Sequence, residues 1–154
     1  MIHSVYKALL FLLMRLPMSG YWRSRLAIAA GVKFCRIDDD VHYELFIGQN
    51  VSLDFHHPEL IEIGNWTTIA TGCIILTHFL HPEIGEYPYF HQSLGKVKIG
   101  RGVFIGANSI ICKPVTIGDG SVIAAGSVVL KDIPQMEIWG GNPARFLKKR
   151  DYKN

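Results

Sequence analysis

From Ile99 to Pro134 the sequence divides into six consecutive units of six residues, IGRGVF, IGANSI, ICKPVT, IGDGSV, IAAGSV and VLKDIP. Each unit begins with Ile or Val and has a small or β-branched residue at its fifth position. A period of six fits neither an α-helix nor a plain hairpin meander. It is typical of a solenoid whose faces are short parallel strands joined by turns. We therefore predict an all-β solenoid, a parallel β-helix with the first-position side chains stacked inside and glycines at the corners.

The same phase extends towards the N-terminus, and it is interrupted once by a long insertion. Ile63, Ile69 and Ile75 keep the spacing of six, and Ile47 and Leu53 keep it with a few inserted residues between. The register breaks between residues 76 and 97, which is too long a gap for a corner. We predict a protruding loop over residues 79–96, and loops on rigid scaffolds commonly carry functional residues.

The composition supports a folded, strand-rich protein and excludes some functions. Of 154 residues, 49% are hydrophobic, and 18 are Ile and 10 are Val, residues that suit strands. The formal net charge of +3 is too small to indicate a nucleic-acid partner, so we expect none. Cys35, Cys73 and Cys112 show no CxxC spacing, which argues against a disulfide framework and favours a reducing, cytoplasmic compartment.

The first residues predict helices rather than repeats. We expect one helix over about residues 3–16, ended by Pro17, and another over 22–30, ended by Gly31. The apolar run Ala8–Met14 resembles a short signal-peptide core, but Arg15 interrupts it after seven residues and it cannot span a bilayer. We interpret it as a docked apolar helix. Weak association of residues 1–16 with the inner membrane face is the alternative.

These patterns divide one domain into three segments. They are a helical N-terminal segment (1–36), the β-helix with its protruding loop (37–134) and a C-terminal tail (135–154).

The chain resembles the hexapeptide-repeat acyltransferases of the left-handed β-helix family, closest to the maltose, galactoside and polysaccharide O-acetyltransferases. The resemblance covers about residues 37–147. It lies in the hexads of Ile99–Pro134, in ILTH at residues 75–78 and in GGNPAR at residues 140–145. It implies a left-handed parallel β-helix and a homotrimer with active sites at the subunit interfaces. It also implies transfer of an acetyl group from acetyl-CoA to a hydroxyl of a sugar or glycan. The short N-terminal segment favours a cell-surface polysaccharide or lipid-linked sugar over a simple sugar.

Such a transfer needs a base for the acceptor hydroxyl, and imidazole is the natural group. In the similar O-acetyltransferases the catalytic His follows the strand before the loop, and His78 matches that place. His81 is the competitor, and both could instead be structural. Glu83 or Glu86 could orient the imidazole or bind acceptor hydroxyls. Direct transfer requires no metal and no nucleophilic Cys or Ser, so Cys73 and Cys112 are expected to pack between coils.

The coenzyme positions are implied by the resemblance and by phosphate chemistry. Ala107 and Ala125 match the positions that keep the wall of the coenzyme groove shallow, and a backbone N–H near Ala107 is the expected oxyanion donor. Lys131 and Arg145 can meet phosphates, with simple solvation as the alternative. Trp139 could pack on the coenzyme or in the trimer.

The acceptor site is expected around an interruption of the repeat. Asp54, His56 and His57 lie there, and their polar groups would suit sugar hydroxyls if this corner lies on the same side as His78. Glu83 is a further candidate. A structural corner is the alternative.

Other functions remain open from the sequence. N-acetylation of an amino sugar needs the same machinery. A zinc enzyme similar to the γ-type carbonic anhydrases would use His42 and His78, which are 36 residues apart, but position 83, where a third His is required, is Glu. A non-catalytic scaffold is also compatible with the fold.

Overall fold

The repeats form a left-handed parallel β-helix in the computed structural model, which describes residues 2–35, 45–82 and 90–151. In chain order the first strands are β1 (Lys33–Cys35), β2 (Phe46–Ile47), β3 (Ser52–Leu53), β4 (Ile61–Gly64), β5 (Thr68–Ile69), β6 (Ile74–Ile75), β7 (His78–Pro82) and β8 (Phe90–Leu94). The remaining strands are β9 (Val97–Ile99), β10 (Phe104–Ile105), β11 (Ile110–Ile111), β12 (Thr116–Ile117), β13 (Val122–Ile123), β14 (Val128–Val129), β15 (Glu137–Gly140) and β16 (Arg145–Lys149).

The short strands stack into three faces of a prism. Face A contains β1, β4, β9 and β12, and face C contains β3, β6, β11 and β14. Face B contains β2, β5, β10, β13 and β15, with β16 added as an antiparallel strand on β15. The chain passes from B to C to A in every coil. We call the stacked turns between faces B and C the B–C edge, and those between faces C and A the C–A edge.

The interior is a stack of aliphatic side chains in the predicted positions. Ile105 pairs with Ile69 on one side and Ile123 on the other, and all three are fully buried. Fifth-position residues fill the narrower corners. The hydroxyl of Ser109 is satisfied because it donates to the carbonyl of Gly106 at 2.7 Å. The stacked interior, predicted from the period of six, is confirmed.

Close stacking also explains a glycine at the B–C edge. A Cβ on Gly106 would lie 2.5 Å from the backbone nitrogen of Ala125 on the next coil. Because that neighbour is backbone, it cannot rotate away, and a side chain would separate the coils.

Two helices precede the prism. The helix α1 (Ile2–Leu13) ends before the predicted limit at residue 16. The helix α2 (Gly20–Ala29) begins before the predicted residue 22. The buried Arg23 fastens their connection to the prism, because it donates to the carbonyls of Met14 at 3.1 Å and Ile47 at 3.5 Å. No helix among the described residues is long and apolar enough to cross a membrane.

The structure places strands where the sequence analysis expected other segments. Lys33–Cys35 pairs with β4 and is already part of face A, although it precedes residue 37. At the other end, β15 (Glu137–Gly140) and β16 (Arg145–Lys149) belong to face B and are therefore part of the prism. The sequence analysis set the segment boundaries elsewhere because β1, β15 and β16 do not carry the hexad spacing.

The base of the insertion is a β-hairpin. β7 and β8 pair in antiparallel fashion, with His78 opposite Leu94 and Pro82 opposite Phe90. The hairpin leaves the prism at the C–A edge, directly after β6. The expected protruding loop is therefore a β-hairpin, whose tip lies outside the described residues.

Candidate active site

Two neighbouring coils of face C end in polar residues at the C–A edge. β3 is followed by Asp54, and β6 is followed by Thr77 and His78. The two strands pair with Leu53 opposite Ile75. The residues that follow them are therefore brought together although they are far apart in the chain.

Asp54 and His78 form a carboxylate–imidazole pair. The Oδ2 atom of Asp54 lies 2.7 Å from the Nδ1 atom of His78. The carboxylate side chain is 1% exposed, whereas the imidazole is 27% exposed. The pair therefore has a buried end and an accessible end.

Backbone and hydroxyl groups hold the carboxylate in place. The Oδ2 atom also accepts hydrogen bonds from the backbone nitrogen of Thr77 at 3.1 Å and from its hydroxyl at 2.7 Å. The Oδ1 atom accepts one from the backbone nitrogen of His56 at 3.1 Å. Both oxygens are thus satisfied by the protein, as a buried charge requires.

The environment keeps Asp54 ionised. Burial raises the pKa of this carboxyl, but the hydrogen bonds from Thr77 and His78 outweigh burial and lower the pKa to about 2. A carboxylate that accepts several hydrogen bonds is stabilised in its charged form.

The pair determines which nitrogen of His78 can act as a base. An ionised carboxylate can only accept, so Nδ1 carries the hydrogen and donates it to Asp54. In the neutral ring the Nε2 atom then has the lone pair. Since part of the ring is exposed, that lone pair can receive a proton from a bound hydroxyl or amine.

The contacts of Asp54 therefore differ from those of the acceptor-binding residue that the sequence predicted. Its oxygens are occupied and buried, which suits it to position His78. The orienting carboxylates considered from the sequence, Glu83 and Glu86, lie outside the described residues.

Sequence reasoning missed Thr77, which supplies two of the hydrogen bonds to Asp54. The signal was the repeat itself. Leu53 and Ile75 are both first-position residues on face C, so the residues after them had to be neighbours on adjacent coils.

The other candidate histidines each have different contacts. His56 is largely exposed and stacks on Phe55 with ring centroids 3.8 Å apart. His57 lies 3.5 Å from a carboxylate oxygen of Glu59. His81 lies in β7 opposite His91, and the positions of both side chains lie outside what the structure describes.

The residues predicted to contact the coenzyme do not all lie on one edge of the prism. Ala107 and Ala125 stack on the B–C edge, where the nitrogen of Gly126 donates to the carbonyl of Ala107 at 2.8 Å. Arg145 begins β16 opposite Gly140, and its side chain is exposed. Lys131 instead lies on the C–A edge.

Lys131 and Trp139 contact each other. The Nζ atom of Lys131 is 4.9 Å from the centroid of the Trp139 ring, a cation–π contact. The ring is buried, and its nitrogen donates to the carboxylate of Glu137 at 2.8 Å. Trp139 therefore packs within the last coil.

The structure describes the side chains of two of the three cysteines and of one of the residues considered as zinc ligands. Cys73 is buried and hydrogen-bonded to the carbonyl of Gly106, while Cys112 is half-buried. Within the described ranges no three His, Cys, Asp or Glu side chains are grouped as metal ligands. His42 and Glu83 lie outside those ranges, and the Nδ1 atom of His78 is engaged with Asp54.

Comparison with protein families agrees with the repeat pattern. Residues 96–131 match the family model described as bacterial transferase hexapeptide (six repeats). YvoF of Bacillus subtilis (strain 168) is 41% identical over 98 residues, which cover 64% of this chain. The chain spans 53% of the length of YvoF, so about half of that relative is matched.

Solved structures share the architecture. A maltose O-acetyltransferase from Clostridium difficile 630 superposes with a TM-score of 0.69 at 26% identity, covering 97% of this chain and 87% of its own. AntD, an N-acyltransferase from Bacillus cereus, was solved in complex with dTDP and 3-hydroxybutyryl-CoA. It superposes with a TM-score of 0.63 at 28% identity, covering 71% of this chain and 61% of its own.

Proposed function

We propose that this chain, whose residues 96–131 match the bacterial transferase hexapeptide family model, transfers an acetyl group from acetyl-CoA to a hydroxyl of a sugar or glycan. The observation that carries this proposal is the buried Asp54 carboxylate, 2.7 Å from the Nδ1 atom of His78. That pair leaves the other ring nitrogen as a positioned base at a partly exposed site.

The reaction proceeds by direct attack. The Nε2 atom of His78 takes the proton from the acceptor hydroxyl as its oxygen attacks the thioester carbonyl. The tetrahedral intermediate carries a negative oxygen, which a backbone N–H near Ala107 would stabilise. Collapse breaks the carbon–sulfur bond, and the CoA thiolate leaves and receives the proton from His78. Asp54 stabilises the imidazolium between the two proton transfers.

Acetyl-CoA is the proposed acyl donor. In this proposal it lies against the stacked alanines of the B–C edge, Ala107 and Ala125, with Arg145 near its phosphates. Lys131 was a second phosphate candidate, but its contact with Trp139 at 4.9 Å gives it a packing role first.

A homotrimer would complete the site. His78 lies on the C–A edge and the alanines lie on the B–C edge, so face C separates them within one protomer. A base and a coenzyme on different edges can act together when the edges come from neighbouring copies. Symmetric assembly around a threefold axis provides that arrangement.

The outer surfaces of the prism support assembly. Outward positions on face A are polar, and those on faces B and C are largely apolar. The outward residues are Lys33, Glu62, Lys98 and Thr116 on face A, Ser52, Ile74, Ile110 and Val128 on face C, and Phe46, Thr68, Phe104, Val122 and Ile138 on face B. Apolar surfaces of this extent are typical of subunit contacts.

A cell-surface polysaccharide or a lipid-linked sugar is the acceptor class we propose, with His56, His57 and Glu83 as candidate contacts. We place the reaction in the cytoplasm, where free thiols such as Cys73 and Cys112 persist.

N-acetylation of an amino sugar is a second candidate, because AntD is an N-acyltransferase with the same architecture. An amine acceptor would use the same base, since Nε2 can remove a proton from nitrogen as well as from oxygen.

An acceptor screen tests the proposal and separates its two forms. Purified protein is incubated with acetyl-CoA and a panel of sugars, amino sugars, nucleotide-sugars and glycans, and CoA release is followed with a thiol reagent. We expect release above background with hydroxyl acceptors, and alkaline lability of the product to identify an ester. An alkali-stable product would favour the amide. Absence of acetyl-CoA binding in calorimetry would overturn the proposal.

A further inference from the structure

The helix α1 is apolar on two opposite faces. Its inner face packs on the protein through Leu10, Met14 and Phe11. Val5, Leu9 and Leu12 recur at intervals of four and three residues, so they form one stripe on the outer side, and Leu16 follows in the turn after the helix. The exposed fractions of these four residues are 64%, 51%, 60% and 50%. We call them the outer stripe.

An outer stripe of four large aliphatic residues is costly in water and indicates a contact surface. The helix has 12 residues, which is too short to span the hydrocarbon core of a bilayer. A short helix with this pattern can still lie in the plane of a membrane surface, with its apolar side in the acyl chains.

Two aromatic residues at the start of the next helix are also exposed. Trp22 is 59% exposed and Tyr21 is 40% exposed, and their rings contact each other edge to face with centroids 5.9 Å apart. Trp and Tyr are the residues that prefer the boundary between lipid headgroups and acyl chains.

The charge of this segment identifies the kind of surface it fits. Residues 1–36 contain six Lys and Arg and no Asp or Glu, whereas the chain as a whole has a net charge of +3. Lys7 is paired with Glu59, and Arg23 is buried against backbone carbonyls. Arg15, Arg25 and Lys33 have exposed side chains. A cationic segment beside an apolar stripe is complementary to an anionic lipid surface.

We propose that the outer stripe docks this protein on the surface of an anionic lipid bilayer. The exposed aliphatic side chains enter the acyl region, and the basic residues lie among the phosphates. Docking would bring the C–A edge close to lipid-linked acceptors, but it does not depend on the acetyl transfer proposed above.

Vesicle co-sedimentation tests this docking with the full chain and without acetyl-CoA. We expect the protein to sediment with vesicles of phosphatidylglycerol and phosphatidylcholine and to remain in solution with phosphatidylcholine alone. Raising the salt from 0.1 to 0.5 M should lower the bound fraction at least threefold, because it screens the lipid charge. Equal binding to neutral and anionic vesicles, or no binding, would overturn the proposal.

Matched double variants locate the surface. Leu9→Glu/Leu12→Glu should reduce vesicle binding about tenfold or more, because it places carboxylates in the stripe. Phe146→Glu/Leu147→Glu is the control, since those residues are 48% and 58% exposed and lie beside the basic residues of β16. It should bind as wild type does. A larger loss in the control would assign docking to β16 and overturn the proposal.

Light scattering distinguishes lipid from a second copy as the partner of the stripe. We expect the α1 double variant to keep the oligomeric mass and melting temperature of wild type, because both residues are exposed. A smaller mass for this variant would show that another subunit covers the stripe, and would overturn the proposal. Failure of vesicle binding leaves the acetyl-CoA assay unaffected, so the two proposals fail separately.

Discussion

The C–A edge contains two kinds of turn, and the contrast between them explains the site. In the coil of Ile111 the repeat continues through Cys112, Lys113 and Pro114 to the next buried position, Val115. After Leu53 and after Ile75 the repeat is broken, by residues 54–60 and 76–96. The regular turn closes the prism, whereas the two interrupted turns hold Asp54, Thr77 and His78 together.

A carboxylate occurs in both kinds of turn, so charge alone does not make the site. Asp132, in a regular turn, accepts a hydrogen bond from the backbone nitrogen of Thr116 at 2.7 Å and is exposed. Asp54 accepts similar backbone bonds, but it is buried and also contacts an imidazole. Burial, fully satisfied oxygens and the neighbouring ring distinguish the turn that holds Asp54 from the regular one.

The largest expected effect comes from removing the base in the interrupted turn. His78→Ala should lower kcat/KM by about a thousandfold or more, because the acceptor proton then has no positioned receiver. The melting temperature should fall only modestly, since the ring is partly exposed and Thr77 still donates two hydrogen bonds to Asp54. Steady-state CoA release and thermal unfolding measure the two quantities. Lys113→Ala, in the regular turn, is the control, and comparable loss there would contradict the assignment.

Removing the charge that positions the base should have the next largest effect. Asp54→Asn keeps the shape of the side chain but no longer stabilises the imidazolium, so kcat should fall about a hundredfold. KM for acetyl-CoA should stay within about threefold, because Asp54 does not face the coenzyme edge. Asp132→Asn, the matched change in the regular turn, should leave kcat near wild type. Equal effects of the two variants would show that Asp54 has no special role.

The regular corners should respond in stability rather than in chemistry. Gly106→Ala should lower the free energy of unfolding by about 2 kcal/mol or more, because its Cβ would meet the backbone of the next coil at 2.5 Å. Gly126→Ala meets no atom within 4 Å, and its positive φ of 69° should cost only about 1 kcal/mol. Urea unfolding measures both. A smaller loss for Gly106→Ala than for Gly126→Ala would refute the stacking explanation.

Acid should remove the stability that Asp54 contributes. Its pKa is lowered from 3.8 to about 2 in the folded protein, so its contribution is full above the unfolded value. The contribution is lost as the pH falls towards 2, and it amounts to about 2 kcal/mol. The difference in unfolding free energy between wild type and Asp54→Asn should therefore shrink between pH 5 and about pH 2. A constant difference would show that the carboxylate is not stabilised by folding.

Sequence periodicity was enough for the prism but not for the site. The hexads predict which residues are inside because burial alternates with a fixed local period. His78 was predicted from the resemblance to the O-acetyltransferases, in which the catalytic His follows the strand before the loop. The partner of His78 could not be identified from the residues next to it in the sequence. Asp54 is 24 residues earlier and contacts His78 only because β3 pairs with β6.

The repeat of six residues was sufficient to predict the parallel β-helix, its aliphatic interior and the position of the insertion, because it specifies strand, corner and buried face together. The three-dimensional structure was needed to show that Asp54 contacts His78, and that β15 and β16 belong to face B. It also decided that a second apolar stripe of α1 remains exposed. Each of these depends on how segments far apart in the chain pack together, which no local pattern of residues specifies.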